Sequence, residues 1–241
     1  APALSSISGQ NHANLPLAAI EAGQVFTNQI SAQRIRFAEP TDGMQVWGHG
    51  FGSTARTEDG GNNPGFRSRL VGAILGVDFG SASGMRGGIA AGFGDGNVRG
   101  TGSNARAELR SYYVGAYLGI QKEALSVNGQ IGVTFNKFNS KRTANLGAVS
   151  QAASADIEGN TASAAVDFSY RFQAGAVSVQ PIAFIRYDTV RVGDFVEQGA
   201  ALLGLAVHNK RYSRLATGLG TKLQADLATS DQTLIQPEVH A

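Results

Sequence analysis

Between Ala105 and Ile120 the chain alternates with a period of two. Tyr112, Val114, Ala116, Leu118 and Ile120 fall on one set of positions, and Ser111, Tyr113, Gly115, Tyr117 and Gly119 on the other. Such alternation is a strand with one apolar face and one small or polar face. The pattern recurs over about Met44–Ala55, Phe66–Phe79, Met85–Val98, Leu125–Phe138, Ile157–Phe172 and Val177–Val190. It is less regular over Ala206–Leu227, and a ninth strand begins near Leu234. These runs exceed the roughly five or six residues usual in soluble sheets, and a tilted membrane-spanning strand needs about 9–11.

Composition sharpens this. Charged residues make up 16% of the chain, against about 25% in ordinary soluble domains. The hydrophobic share, 42%, is nevertheless ordinary. Apolar residues must therefore interleave with small uncharged ones, as in a barrel whose lipid face alternates with a wet lumen face. The longest uncharged apolar run, Ala200–Val207, is far short of the roughly 20 residues a spanning helix needs. With no Cys, disulfide frameworks and thiol chemistry are excluded. A net charge of +2 without a Lys/Arg-rich run gives no reason to expect nucleic acid. The Ala1-Pro2-Ala3 opening has no basic or apolar leader region, and reads as a mature start.

One stretch breaks the strand pattern. Leu15–Phe37 is rich in Ala, Leu, Ile, Glu, Gln and Arg, has one Gly after Pro16, and carries a weak stripe through Ile20, Gly23, Phe26 and Ile30. Asn14 is placed to cap it, and Pro40 in the turn 38–43 to end it. The expected architecture is an all-β membrane protein, an antiparallel up-and-down transmembrane β-barrel around this N-terminal helix. Residues 1–13 form a linker, 14–43 the pore helix and turn, and 44–241 the barrel. An eight-stranded barrel holds only its own side chains, so an enclosed helix demands a larger one. Helix residues Phe26, Gln29, Ile30, Gln33, Arg34 and Arg36 are expected to meet the wall. Asp78, Gly88, Gly92, Tyr113, Tyr117, Asp167, Arg171 and Arg186 are expected to face the lumen. Leu75, Leu118, Val133, Phe168, Tyr170 and Tyr187 are expected to face lipid.

The connections alternate long and short. Long ones follow the first, third, fifth and seventh strands, including Asn139–Ala155; GSASG, QKEA and QAGA are short. Outer-membrane barrels keep short turns on the periplasmic side and long loops outside. The helix then ends at the periplasmic side, and residues 1–13 emerge at the cell surface.

Several ordered motifs carry a resemblance. They are Val46-Trp47 followed by Gly50 and Gly52; Gly72 to Phe79; Tyr112-Tyr113-Val114-Gly115-Ala116-Tyr117; Tyr170-Arg171-Phe172; Pro181 to Tyr187; Gly193 to Ala200; and Arg214 to Gly220. In this order, from about Asn14 to the last residue, the chain resembles the translocator β-domain of autotransporters, the type V secretion proteins of Gram-negative bacteria. The resemblance implies a domain in the bacterial outer membrane that anchors and exports its own N-terminal passenger, with the helix linking the two through the pore. It implies no enzymatic role and no cofactor. The implied partners are outer-membrane lipid, the passenger and the barrel-assembly machinery, and a monomer is expected. The family barrel has about twelve strands and a terminal aromatic. This chain reaches Pro237–Ala241 with roughly eight or nine, so the resemblance implies that the last strands are missing from it.

Other chemistry finds little support. His12, His49, His208 and His240 are scattered, with no HExxH spacing for a metal. GSASG at Gly80–Gly84 lacks a central Ser and lies between strands, unlike a hydrolase elbow. Some family members cut their passenger free with lumen-facing Asn and carboxylates; Asn28 with Asp78 or Asp167 are the candidates here, though no family cleavage dipeptide stands in the helix. The alternative is a small outer-membrane barrel whose long loops act as an adhesin or binding surface.

Overall fold

In a computed structural model, the structure describes residues 12, 14–36, 43–58, 65–81, 84–101, 104–146, 149–225, 227–228, 234–235 and 238–240. The side chains of residues 33–36 and of those from 225 onward lie outside this description. Among the described residues the helix α1 (Leu15–Arg36) precedes the strands. The main strands are β1 (Gly43–Thr57), β2 (Phe66–Gly80), β3 (Met85–Gly100), β4 (Arg106–Lys122), β5 (Leu125–Leu146) and β6 (Val149–Tyr170). They continue with β7 (Phe172–Ala174), β8 (Val177–Val192), β9 (Phe195–Val196), β10 (Ala206–Val207) and β11 (Lys210–Ala225). Short pieces β12 (Leu227–Ala228), β13 (Leu234–Ile235) and β14 (Glu238–His240) follow.

The main sheet runs β1-β2-β3-β4-β5-β6-β8-β11-β14, antiparallel throughout, with β7 beside β8. From β1 to β6 each strand pairs with its neighbour in sequence, so those hairpins are local and their register follows from the turn; β6 then pairs with β8, and β8 with β11 past the β9–β10 hairpin. At one end the turns are tight: Glu123 and Gly175 sit at φ 53° and 62°, in the left-handed region.

The sheet curls. A single helix, α1, touches β1, β2, β3, β4, β5, β6 and β8, which a flat sheet would not allow. Leu15, Ala18, Ala19, Ile20, Ala22, Phe26 and Ile30 are all buried. This enclosure explains the weak sequence stripe: a helix covered on most sides has no single face that must be apolar. The helix opens with Ala18 N–H donating to the Asn14 carbonyl at 3.0 Å. The proposed stop at Pro40 lies outside the described residues.

Two expectations about element limits are corrected. The connection expected at Asn139–Ala155 is mostly strand, because β5 and β6 each run 22 residues and pair to Leu146↔Val149. Alternation continues there as far as Ala144: Ser140, Arg142 and Ala144 are buried while Lys141 and Thr143 are exposed. The irregular strand expected from Ala206 is a small β9–β10 hairpin followed by β11 from Lys210. Near the tight turns, Arg171 falls between β6 and β7, exposed, with its N–H donating to the Ala124 carbonyl at 2.8 Å.

Candidate functional site

The site is the volume inside the curled sheet, with α1 running through it. Three levels can be read along the helix.

Toward the tight turns, Trp47 on β1 donates its Nε1–H to Asp78 Oδ1 on β2 at 2.9 Å and to the Tyr117 hydroxyl on β4 at 3.0 Å. Tyr117 in turn donates to Asp78. Gly88 on β3 makes this possible, since a Cβ there would lie 2.5 Å from the Tyr117 hydroxyl oxygen. The His49 ring stacks on Trp47 at 5.4 Å, and its Nε2 is 2.9 Å from Gln29 Oε1 of the helix. Gln130 Nε2 donates to Ser31 Oγ at 3.2 Å, and Arg186 Nη2 to Asn28 Oδ1 at 3.2 Å.

Midway, Phe26 stacks on Tyr113 with centroids 5.1 Å apart and meets Phe51 edge-on at 5.2 Å. Gly92 supplies the room: a Cβ there would come within 2.8 Å of the Phe26 ring. Asp188 on β8 is fully buried and accepts from Gln24 Nε2 at 3.1 Å and Ser163 Oγ at 2.7 Å. Glu21 Oε2 accepts from Ser68 Oγ at 2.7 Å. Thr161 Oγ1 donates to the Ala19 carbonyl at 3.3 Å. The helix thus meets hydrogen-bonding partners from β1, β2, β5, β6 and β8, so its polar groups are satisfied away from bulk water.

Beyond the N-terminus of α1, the extended β5–β6 hairpin and the 193–209 segment close over the helix. Arg142 grips Glu197 through Nε and Nη2, both at 2.6 Å, and Nη2 also donates to the Leu203 carbonyl at 3.0 Å. Glu197 further accepts the Leu205 N–H at 2.9 Å and lies 2.7 Å from His12 Nε2. The Arg142, Glu197 and His12 side chains are 2%, 1% and 6% exposed. Phe195 packs edge-on against the His12 ring at 4.8 Å. Burial by itself would raise the Glu197 pKa, but hydrogen bonds from Arg142, His12 and the Leu205 N–H hold it below the usual glutamate value. Burial pushes His12 below the ordinary histidine value, and the Glu197 carboxylate only partly opposes this. A backbone bridge, Ser154 N–H to Gln198 O at 3.0 Å and Gln198 N–H to Ser154 O at 2.8 Å, ties the segment to β6.

Among the expected helix residues, Phe26 and Ile30 are buried and Gln29 contacts the wall; the side chains of Gln33, Arg34 and Arg36 lie outside the described residues. Asp78, Tyr113 and Tyr117 are buried, Gly88 and Gly92 back aromatic rings, and Arg186 reaches Asn28. Asp167 accepts from Asn128 Nδ2 at 2.7 Å. Asn28 accepts from Arg186, Asp78 from Trp47 and Asp167 from Asn128. Leu75, Leu118, Val133, Phe168, Tyr170 and Tyr187 are all exposed on the outer face. Sequence reasoning missed Asp188, Arg142 and Glu197 as site residues and set His12 aside as isolated. Glu197 stood inside the Gly193–Ala200 motif, a signal whose chemistry was not read.

A long antiparallel wall, greasy outside and polar inside, filled by a helix, defines an outer-membrane β-barrel with an occupied pore. The family model described as the autotransporter β-domain matches residues 46–241, and the chain belongs to that family. Solved structures agree on the fold. The translocator domain of autotransporter NalP from Neisseria meningitidis matches with a TM-score of 0.73 at 14% identity, over 92% of this chain and 82% of that one. The β domain of the Bordetella autotransporter BrkA matches with a TM-score of 0.60 at 16% identity, over 83% and 77%. Two extracellular serine proteases of Serratia marcescens are 25% and 23% identical over 232 residues, 93% of this chain. The chain spans only 22% of the length of each, so their protease activity is a property of those larger proteins.

Proposed function

We propose that this domain anchors an N-terminal passenger in the outer membrane and exports it to the cell surface, with α1 as the tether that fills the pore afterward. One observation carries the reading: a helix buried against the wall from Leu15 to Ile30, held at several levels, whose N-terminus points to the end with the long connections. A chain leaving that N-terminus emerges where outer-membrane barrels present their surface loops. The role is mechanical rather than catalytic. The barrel works as a monomer, and its insertion depends on the barrel-assembly machinery.

The absence of Cys makes the test direct. A protein carrying this chain and a reporter passenger is given Ser31→Cys and Gln130→Cys. The expected result is a reporter that protease removes from intact cells, together with a thiol cross-link between helix and wall in the same molecules. A reporter retained in the periplasm, or one at the surface with the pair never cross-linking, contradicts the reading.

A further inference from the structure

The outward face carries an unusual row. Arg56, Arg67, Arg99, Arg106 and Lys141 stand directly opposite one another on β1, β2, β3, β4 and β5, through the pairs Arg56↔Arg67, Arg67↔Arg99, Arg99↔Arg106 and Arg106↔Lys141. All five are exposed. Like charges directly opposite each other destabilise a sheet. The rows nearer the apolar band do not share the problem. Two positions in, Arg69 shares its row with Glu108 and Asp156, and Asp156 accepts from Asn139 Nδ2 at 2.7 Å. Two further in, Arg110 pairs with Asp95 at 3.1 Å and Lys137 with Glu158 at 3.0 Å. Among the described residues no ion pair joins any of the five cations to an acid. Exposed Glu58, two residues past Arg56, and Glu108, in the adjacent row, are the acids closest along the strands.

Depth gives the row its meaning. Phe93, Tyr112 and Phe135 stand opposite one another and exposed, an aromatic row of the kind that marks a membrane interface. Apolar Leu75, Val77, Ile89, Val114, Leu118, Ile131 and Val133 lie on its far side, toward the tight turns. Arg99 is six residues beyond Phe93. At about 3.4 Å per residue and a strand tilt of about 40°, the cations stand roughly 15 Å above that girdle. The tilt also makes the row slant, so its charges sit at graded heights.

We propose that this row binds the anionic headgroup sugars of the surface leaflet's glycolipid, whose phosphates and carboxylates bridge adjacent guanidinium groups. The forked Arg geometry suits bidentate phosphate recognition, and four of the five cations are Arg. Five strands at about 4.8 Å spacing spread the charges over roughly 19 Å, enough for several anionic groups. A row that repels itself when bare becomes a lateral tie between barrel and leaflet when neutralised. The inference rests on the orientation taken above, with the long connections at the cell surface.

The test uses native mass spectrometry of the detergent-purified protein. The probe is rough-type lipopolysaccharide with a phosphorylated inner core; a dephosphorylated preparation of the same material is the comparison. Wild type retains the phosphorylated probe, and Arg67→Ser/Arg99→Ser/Arg106→Ser weakens retention about tenfold or more. The same three positions changed to Lys restore part of it. Arg69→Ser/Arg110→Ser/Lys137→Ser removes equal charge from the balanced rows and changes retention about twofold at most. Equal losses in both triple variants, loss in neither, or equal retention of the dephosphorylated probe overturns the proposal. So does a short DNA duplex held by the row as tightly as the glycolipid. In intact cells, Arg99→Cys separates the two readings. If an impermeant maleimide reaches it only after the membrane is breached, the orientation fails and the lipid assignment with it. Surface labelling with retention unchanged in the Ser variant overturns the lipid assignment alone.

Discussion

Two buried carboxylates stand at opposite ends of the pore and are held in opposite ways. Asp78, near the tight turns, takes hydrogen bonds from two neutral donors, Trp47 and Tyr117, on strands of the same wall. Glu197, at the outer mouth, is gripped by a full positive charge and by His12, on segments that no hairpin joins. Strand register alone assembles the first cluster, because β1, β2, β3 and β4 already align its members. The second exists only when the 193–209 segment, the β5–β6 tip and the approach to the helix meet. The first is part of the wall; the second is a clasp laid over the helix that fills it.

The largest expected effect falls on the clasp. Glu197→Ala leaves Arg142 buried without its carboxylate, which costs about 3–5 kcal/mol. Because the wall does not need the clasp, the loss is local: hydrogen exchange over 195–205 rises while β2–β4 stays protected. Equal loosening of both regions would erase the distinction. At the other end, Asp78→Ala removes the acceptor of the Tyr117 O–H, at about 1–3 kcal/mol, while the Trp47 N–H keeps the Tyr117 hydroxyl oxygen. Here the melting temperature of the whole barrel falls and the 193–209 segment stays closed.

These differences in legibility have a physical source. The wall was readable because period two is a local signal, and in β4 it was nearly unbroken. The tips of β5 and β6 were misread because Ser140, Thr143, Ala144 and Ala152 are small or weakly polar, loop-like when taken singly. The helix was found by composition, since enclosure removed the apolar stripe that usually marks one. The clasp was not found because its partners lie 185 and 55 residues apart, and nothing at His12 or Arg142 announces the contact. Asp78 and Trp47, by contrast, are 31 apart and follow from a single hairpin.

A smaller effect separates the ends by pH. His12 is held below its ordinary 6.5 and Glu197 below its ordinary 4.5. In both cases the open state takes up protons more readily, so acid favours opening. Clasp stability is full above 6.5, declines first as the open-state histidine protonates, and declines again below 4.5. Exchange over 195–205 measured down a pH series should show this loss, reduced in His12→Gln. A segment that tightens on acidification would reverse the sign of the account.

The central claim is that the helix is enclosed, and one thiol-reactivity comparison tests it most directly. In a chain with no Cys, Ile30→Cys and Val196→Cys place thiols at positions 0% and 67% exposed. In folded protein, a bulky maleimide should label Val196→Cys at once and leave Ile30→Cys untouched until the barrel is denatured. Labelling of Ile30→Cys as fast as Val196→Cys would mean that the helix does not lie inside the wall.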